Sequence, residues 1–388
     1  KVPQNLAIRI FLGRGLEYWS PDTIVKRGCG GSETAMAWIA RELAKRDCQP
    51  IIYAMDNQVW DGVLYRTFDK FQPAVMSHLF ISSRIPEVIT DAIPSLERWL
   101  WVHDISCFDR LTPDIAQKLD AIVCLSHWQV DHLKRAYPWL KDAEVIDFDG
   151  NMKTYEDTWT PAVYSAESTI VKVPKIAIIG NGIDIERFNH KETRHPHRFI
   201  WCSSPDRGLE ELLNIWGLIK KAIPDAELKI YYGWEYFDST LHIKEQREFK
   251  ARILKLLRQD GIEWKGRIGQ VQLAREMLQA GIILYPPHSF RETYGITFLE
   301  AQAAGVICFY RQNGALGETI GDRGIPLSMD ISPESIVQKL TEVIGDTSLC
   351  GKIREEGRHY AEGRGWGKVA ENVLALYGRI KDAKDKLS

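Results

Sequence analysis

The stretch HRFIWCSSPDRGLEELLNIWGLIKKAI, residues 197–223, contains the repeating unit from which the fold is built. It begins with a short apolar run that is typical of a buried strand. A polar turn with Ser203, Ser204 and Pro205 follows, and proline is favoured at the first position of a helix. The apolar residues of 208–223 then have helical spacing. The stretch therefore predicts a strand, a turn and a helix, as in a parallel α/β sheet.

The same alternation of strand and helix runs along the chain. At 388 residues the chain exceeds what one core usually supports, so two domains are expected. We predict two doubly wound, Rossmann-like halves, 1–185 and 186–388, facing a central cleft, with the final helix at about 368–388 packing back on the first half. Residues 141–173 fit the alternation least and are predicted to be an insertion or a long loop. Strands are predicted at 6–13, 50–54, 74–80, 97–103, 121–126, 174–184, 197–204, 227–233, 262–268, 281–287, 306–310 and 324–328; helices are predicted at 30–47, 208–223, 244–258, 271–279, 296–304 and 333–386.

The composition excludes several classes of protein. Fifty basic and 52 acidic residues give a formal charge of −2, which argues against nucleic-acid binding. The seven cysteines are scattered and never spaced as in a zinc site, so they indicate a reducing compartment. The sequence contains no run of about 18 apolar residues, and no signal peptide precedes the first strand. We expect a cytoplasmic protein, with peripheral membrane contact as a weaker alternative.

Polar, glycine-containing turns follow three of the predicted strands or open the helix after them. They are CGGSE at 29–33, SSPDRG at 203–208 and SFRETYG at 289–295. Free N–H groups and the dipole at a helix start favour an anion, and ligands of such sheets bind beyond the carboxyl ends of the strands. Ser32 is predicted to cap the first of these helices. One such turn is more often structural than functional, but three in corresponding places suit a diphosphate between the two halves.

Two glutamates stand eight positions apart in the third region, at 292 and 300. A carboxylate in a first helical turn often only complements the helix dipole, which is the alternative for Glu292. Glu300 lies within an apolar run, where a buried carboxylate is costly without a partner. A ligand or a positive charge is therefore expected beside Glu300.

These motifs resemble those of the glycosyl transferases group 1 family, retaining enzymes of the GT-B fold (the glycosyltransferase family 4 type). RETYGITFLEAQAAG at 291–305 resembles the family's Glu-x7-Glu signature, and VPKIAIIGNGIDIERF at 173–188 resembles its interdomain segment. NGALGETIGDRGIPLSMD at 313–330 and WGKVAENVLALY at 366–377 are similar to two further family stretches. The resemblance covers nearly the whole chain and is more specific in the carboxyl-terminal half.

The resemblance implies roles for the residues that match these motifs. It implies that Glu300 binds ribose hydroxyls of a nucleotide, that Glu292 holds hydroxyls of the transferred sugar, and that Arg207 binds the diphosphate. It also implies that His103, after the strand at 97–103, contacts the donor sugar near the reacting carbon. The catalytic set is then Glu292, His103 and Arg207, and the remaining donor contacts come from the helix starts and nearby cations: Gly30, Gly31, Ser203, Ser204, Lys265, Arg267, Thr293, Tyr294, Gly295 and Glu300.

Two positions depart from the family pattern. Arg207 stands where the family has a phosphate-binding lysine, and Cys202 stands where it has a phosphate-binding arginine. Ser203, Ser204 or a cation from elsewhere must then help to neutralise the diphosphate. The candidates for that cation are Lys265, Arg267 and Arg291.

No metal is expected. His127 and His132 have i, i+5 spacing, which does not place both on one helical face. The DFD at 147–149 has the Asp-x-Asp pattern of a different glycosyltransferase fold, and one match to so short a pattern is expected by chance.

The acceptor is harder to predict because the amino-terminal half matches the family less closely. This half is rich in aromatic residues, and the loop GLEYWSPD at 15–22 follows the first strand. Tyr18 and Trp19 are therefore predicted near the mouth of the cleft, where Trp19 would stack on a sugar. Asp104, beside His103, is predicted to contact the acceptor.

The sequence thus predicts a retaining glycosyltransferase that moves a sugar from a UDP- or GDP-sugar to a saccharide acceptor, without a metal or other cofactor. One alternative is a catalytically inactive module that binds nucleotide sugars. Another is an NAD-dependent oxidoreductase using GRG at 13–15, although that turn lacks the full GxGxxG pattern and the acidic residue after it.

Overall fold

The computed structural model describes residues 5–15, 17–151 and 159–386. Within these residues the chain forms two β-sheets flanked by helices, and nearly all neighbouring strands pair in parallel. The prediction for 141–173 lies partly outside the described residues. The part that is described includes a short strand at Val145–Asp147, which lies at the edge of the first sheet.

The amino-terminal sheet contains nine described strands in the order β3-β4-β2-β1-β5-β6-β7-β9-β8. Its inner strands are mostly buried and rich in apolar residues, as expected where helices cover both faces, although Arg9 and Glu97 are also buried in them. The strands are β1 (Leu6–Phe11), β2 (Cys48–Ala54), β3 (Gln58–Trp60), β4 (Val63–Thr67), β5 (Ser77–Ser83), β6 (Ser95–Trp101), β7 (Ala121–Cys124), β8 (Val145–Asp147) and β9 (Lys175–Ile178). The helices are α1 (Pro21–Arg27), α2 (Gly31–Ala44), α3 (Pro113–Gln117) and α4 (His127–Ala136).

The carboxyl-terminal sheet contains six described strands in the order β12-β11-β10-β13-β14-β15. The strands are β10 (His195–Trp201), β11 (Glu227–Ile230), β12 (Ile262–Trp264), β13 (Ala280–Leu284), β14 (Ile307–Arg311) and β15 (Ile325–Leu327). The helices are α5 (Leu209–Ala222), α6 (Glu235–Ser239), α7 (Lys244–Leu256), α8 (Gln270–Gln279), α9 (Ile296–Ala303), α10 (Leu316–Ile320), α11 (Pro333–Gly345), α12 (Thr347–Glu362) and α13 (Trp366–Asp385).

The chain passes between the two sheets at two places that touch each other. The segment after β9 leads into the second sheet, and the segment before α13 leads back. Ile183 and Gly365 form a parallel bridge there. A Cβ atom on Gly182 would lie only 2.8 Å from the backbone nitrogen of Trp366, so this close crossing requires glycine.

Helix α13 lies against the first sheet and its helix α2. The Arg46 guanidinium is 3.3 Å from the Glu371 carboxylate, and the Lys384 ammonium is 2.9 Å from Asp120. Among the described helices, none is both long enough and apolar enough to cross a membrane.

Candidate functional site

A cavity of about 730 Å³ lies between the two sheets, beyond the carboxyl ends of their strands. All three predicted turns line it, so strands from both sheets deliver their polar turns to one place. The predicted site residues that line the cavity are Trp19, Gly30, Gly31, His103, Asp104, Ser203, Ser204, Arg207, Arg267, Glu292, Thr293, Tyr294, Gly295 and Glu300. Lys265 is not among the described residues that line it, and its ammonium lies 3.0 Å from Glu263 at the surface.

The first turn differs in one respect from the sequence prediction. Helix α2 begins after Gly30, and no side chain caps it. The Ser32 hydroxyl instead donates to Glu33 Oε2 at 2.9 Å, so the prediction that Ser32 caps this helix is wrong. The other Glu33 oxygen is 2.6 Å from the Arg84 guanidinium. Within the described part of the chain, the N–H groups at this helix start therefore have no side-chain acceptor.

The second turn fixes Arg207 from two sides. Its guanidinium lies 3.4 Å from the centroid of the Phe290 ring. Its backbone carbonyl accepts a 2.7 Å hydrogen bond from Arg311, whose side chain is fully buried. Gly208, at φ 112°, then turns the chain into α5. These contacts hold both the backbone and the guanidinium of Arg207 in place, and the residue lines the cavity.

The structure narrows the choice of a second cation beside Cys202. Burial raises the pKa of the Cys202 thiol well above its usual value, so it carries no charge. Arg267 lines the cavity but is bonded to Glu17 at 2.6 Å. Arg291 also lines the cavity, with its guanidinium 4.6 Å from the Trp159 ring centroid. Of the three candidate cations, Lys265 is thus placed elsewhere, and the other two reach the cavity.

The third turn leads into α9 through Gly295, whose φ of 87° favours glycine. Thr293 carries a contact between the two halves, because its hydroxyl donates to the His103 carbonyl at 2.8 Å. The Tyr294 ring is buried. This turn therefore adjoins the His103 loop directly.

Glu300 has the positive partner that its apolar surroundings required. Arg187 donates to Glu300 Oε1 at 2.7 Å, and both side chains are mostly buried. Arg187 lies within the segment 173–188, and sequence reasoning did not assign it a role. The apolar surroundings of Glu300 in the sequence predicted a ligand or a positively charged partner, but they did not identify Arg187 as that partner. Among the described residues no cation pairs with the second Glu300 oxygen, and Glu300 lines the cavity.

His103 lies in a loop that is held by a buried glutamine. Gln129 donates from its side-chain amide to the carbonyls of Val102 at 2.8 Å and Asp104 at 2.6 Å. The His103 ring stacks on Trp101 at 5.9 Å, and its buried Nε2 has no hydrogen-bond partner in the described structure. Burial, aided by the nearby Arg84 charge, lowers the pKa of His103 to about 3. The imidazole is therefore neutral at physiological pH, and a ligand can supply the missing partner.

The depressed pKa of His103 predicts a pH effect on stability. The unfolded chain binds this proton below about pH 6.5, whereas the folded chain binds it only near pH 3. The neutral His103 side chain therefore contributes to the free energy of unfolding fully above pH 6.5, and this contribution is lost as the pH falls. Between pH 7 and pH 5 the wild type should lose about 2 kcal/mol more unfolding free energy than His103→Gln.

Urea unfolding of both proteins at the two pH values measures this difference. Replacing the exposed His242 with glutamine is the matched control and should leave the wild-type pH dependence intact. An equal loss in the wild type and in His103→Gln would show that His103 titrates normally.

A second contact between the halves involves Glu318, in the stretch 313–330. Its buried carboxylate accepts hydrogen bonds from the backbone N–H groups of His127 at 2.9 Å and Trp128 at 2.6 Å, so it caps α4 from the other half. His127 also bridges Glu318 and Asp147 through its two ring nitrogens, each at 3.1 Å. Sequence reasoning missed this capping contact, because the partners are 191 positions apart.

The DFD segment has structural partners. Asp147 pairs with His127, and Asp149 pairs with Arg364 just before α13. No group of three or more His, Cys, Asp or Glu side chains among the described residues is placed to hold a metal ion.

The prediction for Trp19 is wrong in its premise. Its side chain is only 2% exposed and packs edge-on against Tyr65, so its ring face is not available to an acceptor. Tyr18 is 55% exposed but does not line the cavity. Asp104, in contrast, is exposed and lines it.

Comparison with known proteins agrees with this architecture. Sucrose-phosphate synthase from Thermosynechococcus elongatus superimposes with a TM-score of 0.67 at 12% identity, covering 98% of this chain and 100% of that one. HepE of Anabaena, solved with UDP-glucose, gives a TM-score of 0.65 at 13% identity, covering 97% and 100%. The chain therefore has the GT-B fold, as the sequence predicted.

The sequence comparisons match part of the chain to one family. Residues 199–360 match the family model Glycosyl transferases group 1. A D-inositol 3-phosphate glycosyltransferase from Streptomyces avermitilis is 27% identical over 217 residues, which cover 52% of this chain and 46% of the relative. The chain thus aligns with less than half the length of this curated relative. Residues 199–360 are thus similar to the glycosyl transferases group 1 family, and this match covers less than half of the chain.

Proposed function

We propose that this protein is a retaining glycosyltransferase that moves a sugar from a UDP- or GDP-sugar to a saccharide acceptor. The observation that carries the proposal is the convergence of three helix starts, Arg207 and two glutamates on one cavity between the sheets. The names of the relatives support it, since one acts as a glycosyltransferase and HepE was solved with UDP-glucose. We assign the nucleotide sugar to 186–388 and the acceptor to 1–185.

The proposed chemistry follows from charge. When the bond between the anomeric carbon and the diphosphate breaks, negative charge grows on the leaving oxygen. Backbone N–H groups at the helix starts and Arg207 stabilise that charge because they are already in place. The acceptor oxygen bonds to the anomeric carbon on the same face, and its proton passes to the departing β-phosphate. This scheme needs no side-chain general base and retains configuration.

The two glutamates and His103 have separate proposed roles. Glu300 accepts hydrogen bonds from the ribose hydroxyls through the carboxylate that Arg187 orients. Glu292 accepts from hydroxyls of the transferred sugar. Neutral His103 supplies one hydrogen bond to that sugar through its unpartnered Nε2.

The seven free cysteines support a reducing compartment such as the cytoplasm.

The Glu300 assignment is tested by nucleotide binding. Glu300→Gln should weaken uridine and UDP by a similar factor of roughly 10 to 100, because hydrogen bonds to a charged group contribute about 1.5–3 kcal/mol. Isothermal calorimetry with both ligands, repeated with guanosine and GDP, measures this. Glu227→Gln is the matched control, since Glu227 also pairs with an arginine at 2.9 Å but does not line the cavity. Wild-type affinity in Glu300→Gln would exclude the ribose contact.

A further inference from the structure

Two bulky residues have a backbone conformation that such residues rarely adopt. Among the described residues, those with positive φ other than glycine are Asn5, Asp47, Asp61, Arg84, Phe108 and Ser165. Four of them are short polar residues, which tolerate this region, and two, Arg84 at 66° and Phe108 at 54°, are not. Both of these line the cavity, on its amino-terminal side. Such conformations cluster at binding sites, where surrounding contacts enforce them.

Specific hydrogen bonds hold Phe108 in this conformation. The buried Tyr137 hydroxyl donates to the Phe108 carbonyl at 2.7 Å and accepts from the Cys107 N–H at 3.0 Å. The Arg110 guanidinium donates to the Arg84 carbonyl at 3.3 Å, which ties Arg84 to the loop that contains Phe108. The loop after β6 is thus fixed by its neighbours with a phenylalanine side chain directed outward.

Phe108 also differs from the other aromatic residues that line the cavity. Its side chain is 55% exposed, whereas the rings of Trp19 and Tyr294 are buried. Tyr232 and Phe290 are half-buried, and each is covered by a guanidinium, from Arg267 at 4.8 Å and from Arg207 at 3.4 Å. Among the described lining residues, Phe108 is therefore the aromatic side chain that combines high exposure with no such cover.

The charges beside Phe108 favour an uncharged ligand. Asp104, four positions earlier in the same loop, is exposed and presents a carboxylate that accepts hydrogen bonds from hydroxyls. The Arg84 charge is compensated by Glu33 at 2.6 Å. Arg27 lines the cavity too, but it lies just before the turn at 29–33, which is on the proposed diphosphate side.

We propose that Phe108 and Asp104 form the acceptor subsite, and that this subsite takes an uncharged sugar ring. The apolar C–H face of the ring packs on Phe108, and its hydroxyls donate to Asp104. The proposal replaces Trp19 with Phe108 as the aromatic contact. It rests on the proposed transfer function, because only a transferase needs a second sugar next to the donor.

The test is direct binding of sugars rather than turnover. Methyl glucopyranoside, methyl mannopyranoside, methyl galactopyranoside and glucose 6-phosphate are titrated against the UDP-saturated protein by saturation-transfer NMR. We expect at least one methyl glycoside to bind more tightly than the phosphate. Phe108→Gly should weaken that binding about tenfold, the factor that a lost aromatic contact produces, whereas Phe108→Trp should retain it. Glycine adopts a φ of 54° freely, so the melting temperature should not fall.

Tyr18→Ala is the matched control, because Tyr18 has the same exposed fraction, 55%, and does not line the cavity. Its sugar binding should equal that of the wild type. Three results would overturn the subsite: unchanged sugar binding in Phe108→Gly, equal losses in Tyr18→Ala, or a wild type that binds none of the methyl glycosides. Transfer activity of the wild type is measured separately, so its absence would count against the proposed function and not against sugar binding at Phe108.

Discussion

Replacing Arg207 with alanine is expected to weaken UDP binding by about a hundredfold while uridine binding stays within about twofold of the wild type. Arginine forms paired, charge-assisted hydrogen bonds with a diphosphate, each contributing about 1.5–3 kcal/mol. Its side chain lines the cavity, and the Phe290 ring and the Arg311 hydrogen bond fix its position. Isothermal calorimetry with UDP and uridine measures the two affinities for each protein.

The expected pattern is the reverse of that for Glu300→Gln, which should weaken uridine and UDP alike. Lys265→Ala is the control for loss of one positive charge, because Lys265 pairs with Glu263 outside the cavity and should leave UDP binding unchanged. Equal losses of uridine and UDP in Arg207→Ala would mean that the residue supports the fold instead of the diphosphate.

The strands of the fold were largely predictable because burial on both faces of a parallel sheet requires continuous apolar runs. Strands β13 and β14 are fully buried; both ends of β14 were predicted within one residue, and β13 was predicted to start one residue late and to end three residues late. The hairpin of β3 and β4 was missed, although the sequence contains its signal. Asp61 and Gly62 both have positive φ, at 47° and 80°, and Asp-Gly between apolar runs is typical of such a turn.

The candidate site was predictable where its residues follow strands. The turns at 203–208 and 289–295 follow strands, and the turn at 29–33 lies between α1 and α2; all three line one cavity beyond the carboxyl ends of the strands. Contacts between distant segments were not predictable in this way. Arg187 and Glu300 are 113 positions apart, and no local pattern specifies that pair.

Exposure was the least predictable property. Trp19 and Phe108 both lie in loops that follow strands, yet Trp19 is buried against Tyr65 and Phe108 is open to the cavity. The difference arises from the tertiary contacts of each loop, since the Trp19 ring packs on Tyr65 whereas Tyr137 bonds Phe108 only at its backbone carbonyl. The position of Lys265 outside the cavity was not predictable either, because it depends on the edge strand β12 and on the ion pair with Glu263.

Replacing Glu292 is the second change with a large expected effect, and this effect is on turnover and not on UDP affinity. Its carboxylate lines the cavity beside the turn that contacts the His103 loop, so we assign it to the transferred sugar. Glu292→Ala should lower turnover roughly 100-fold, the effect of one lost charged contact to the reacting group, and leave UDP affinity nearly unchanged. Glu263→Ala, at the surface away from the cavity, is the control for loss of one negative charge.

Release of nucleoside diphosphate from a panel of UDP- and GDP-sugars tests most directly whether this cavity is a glycosyl-transfer site. Each sugar is incubated with the wild type and with the Glu292→Ala and Glu263→Ala variants, with and without the methyl glycosides, and the anomeric configuration of any product is read by NMR. We expect the wild type and Glu263→Ala to release diphosphate from at least one donor with retention of configuration, and Glu292→Ala to be about 100-fold slower. If the wild type released diphosphate from none of these donors, or if Glu292→Ala were as fast as the wild type, this cavity would not be a glycosyl-transfer site.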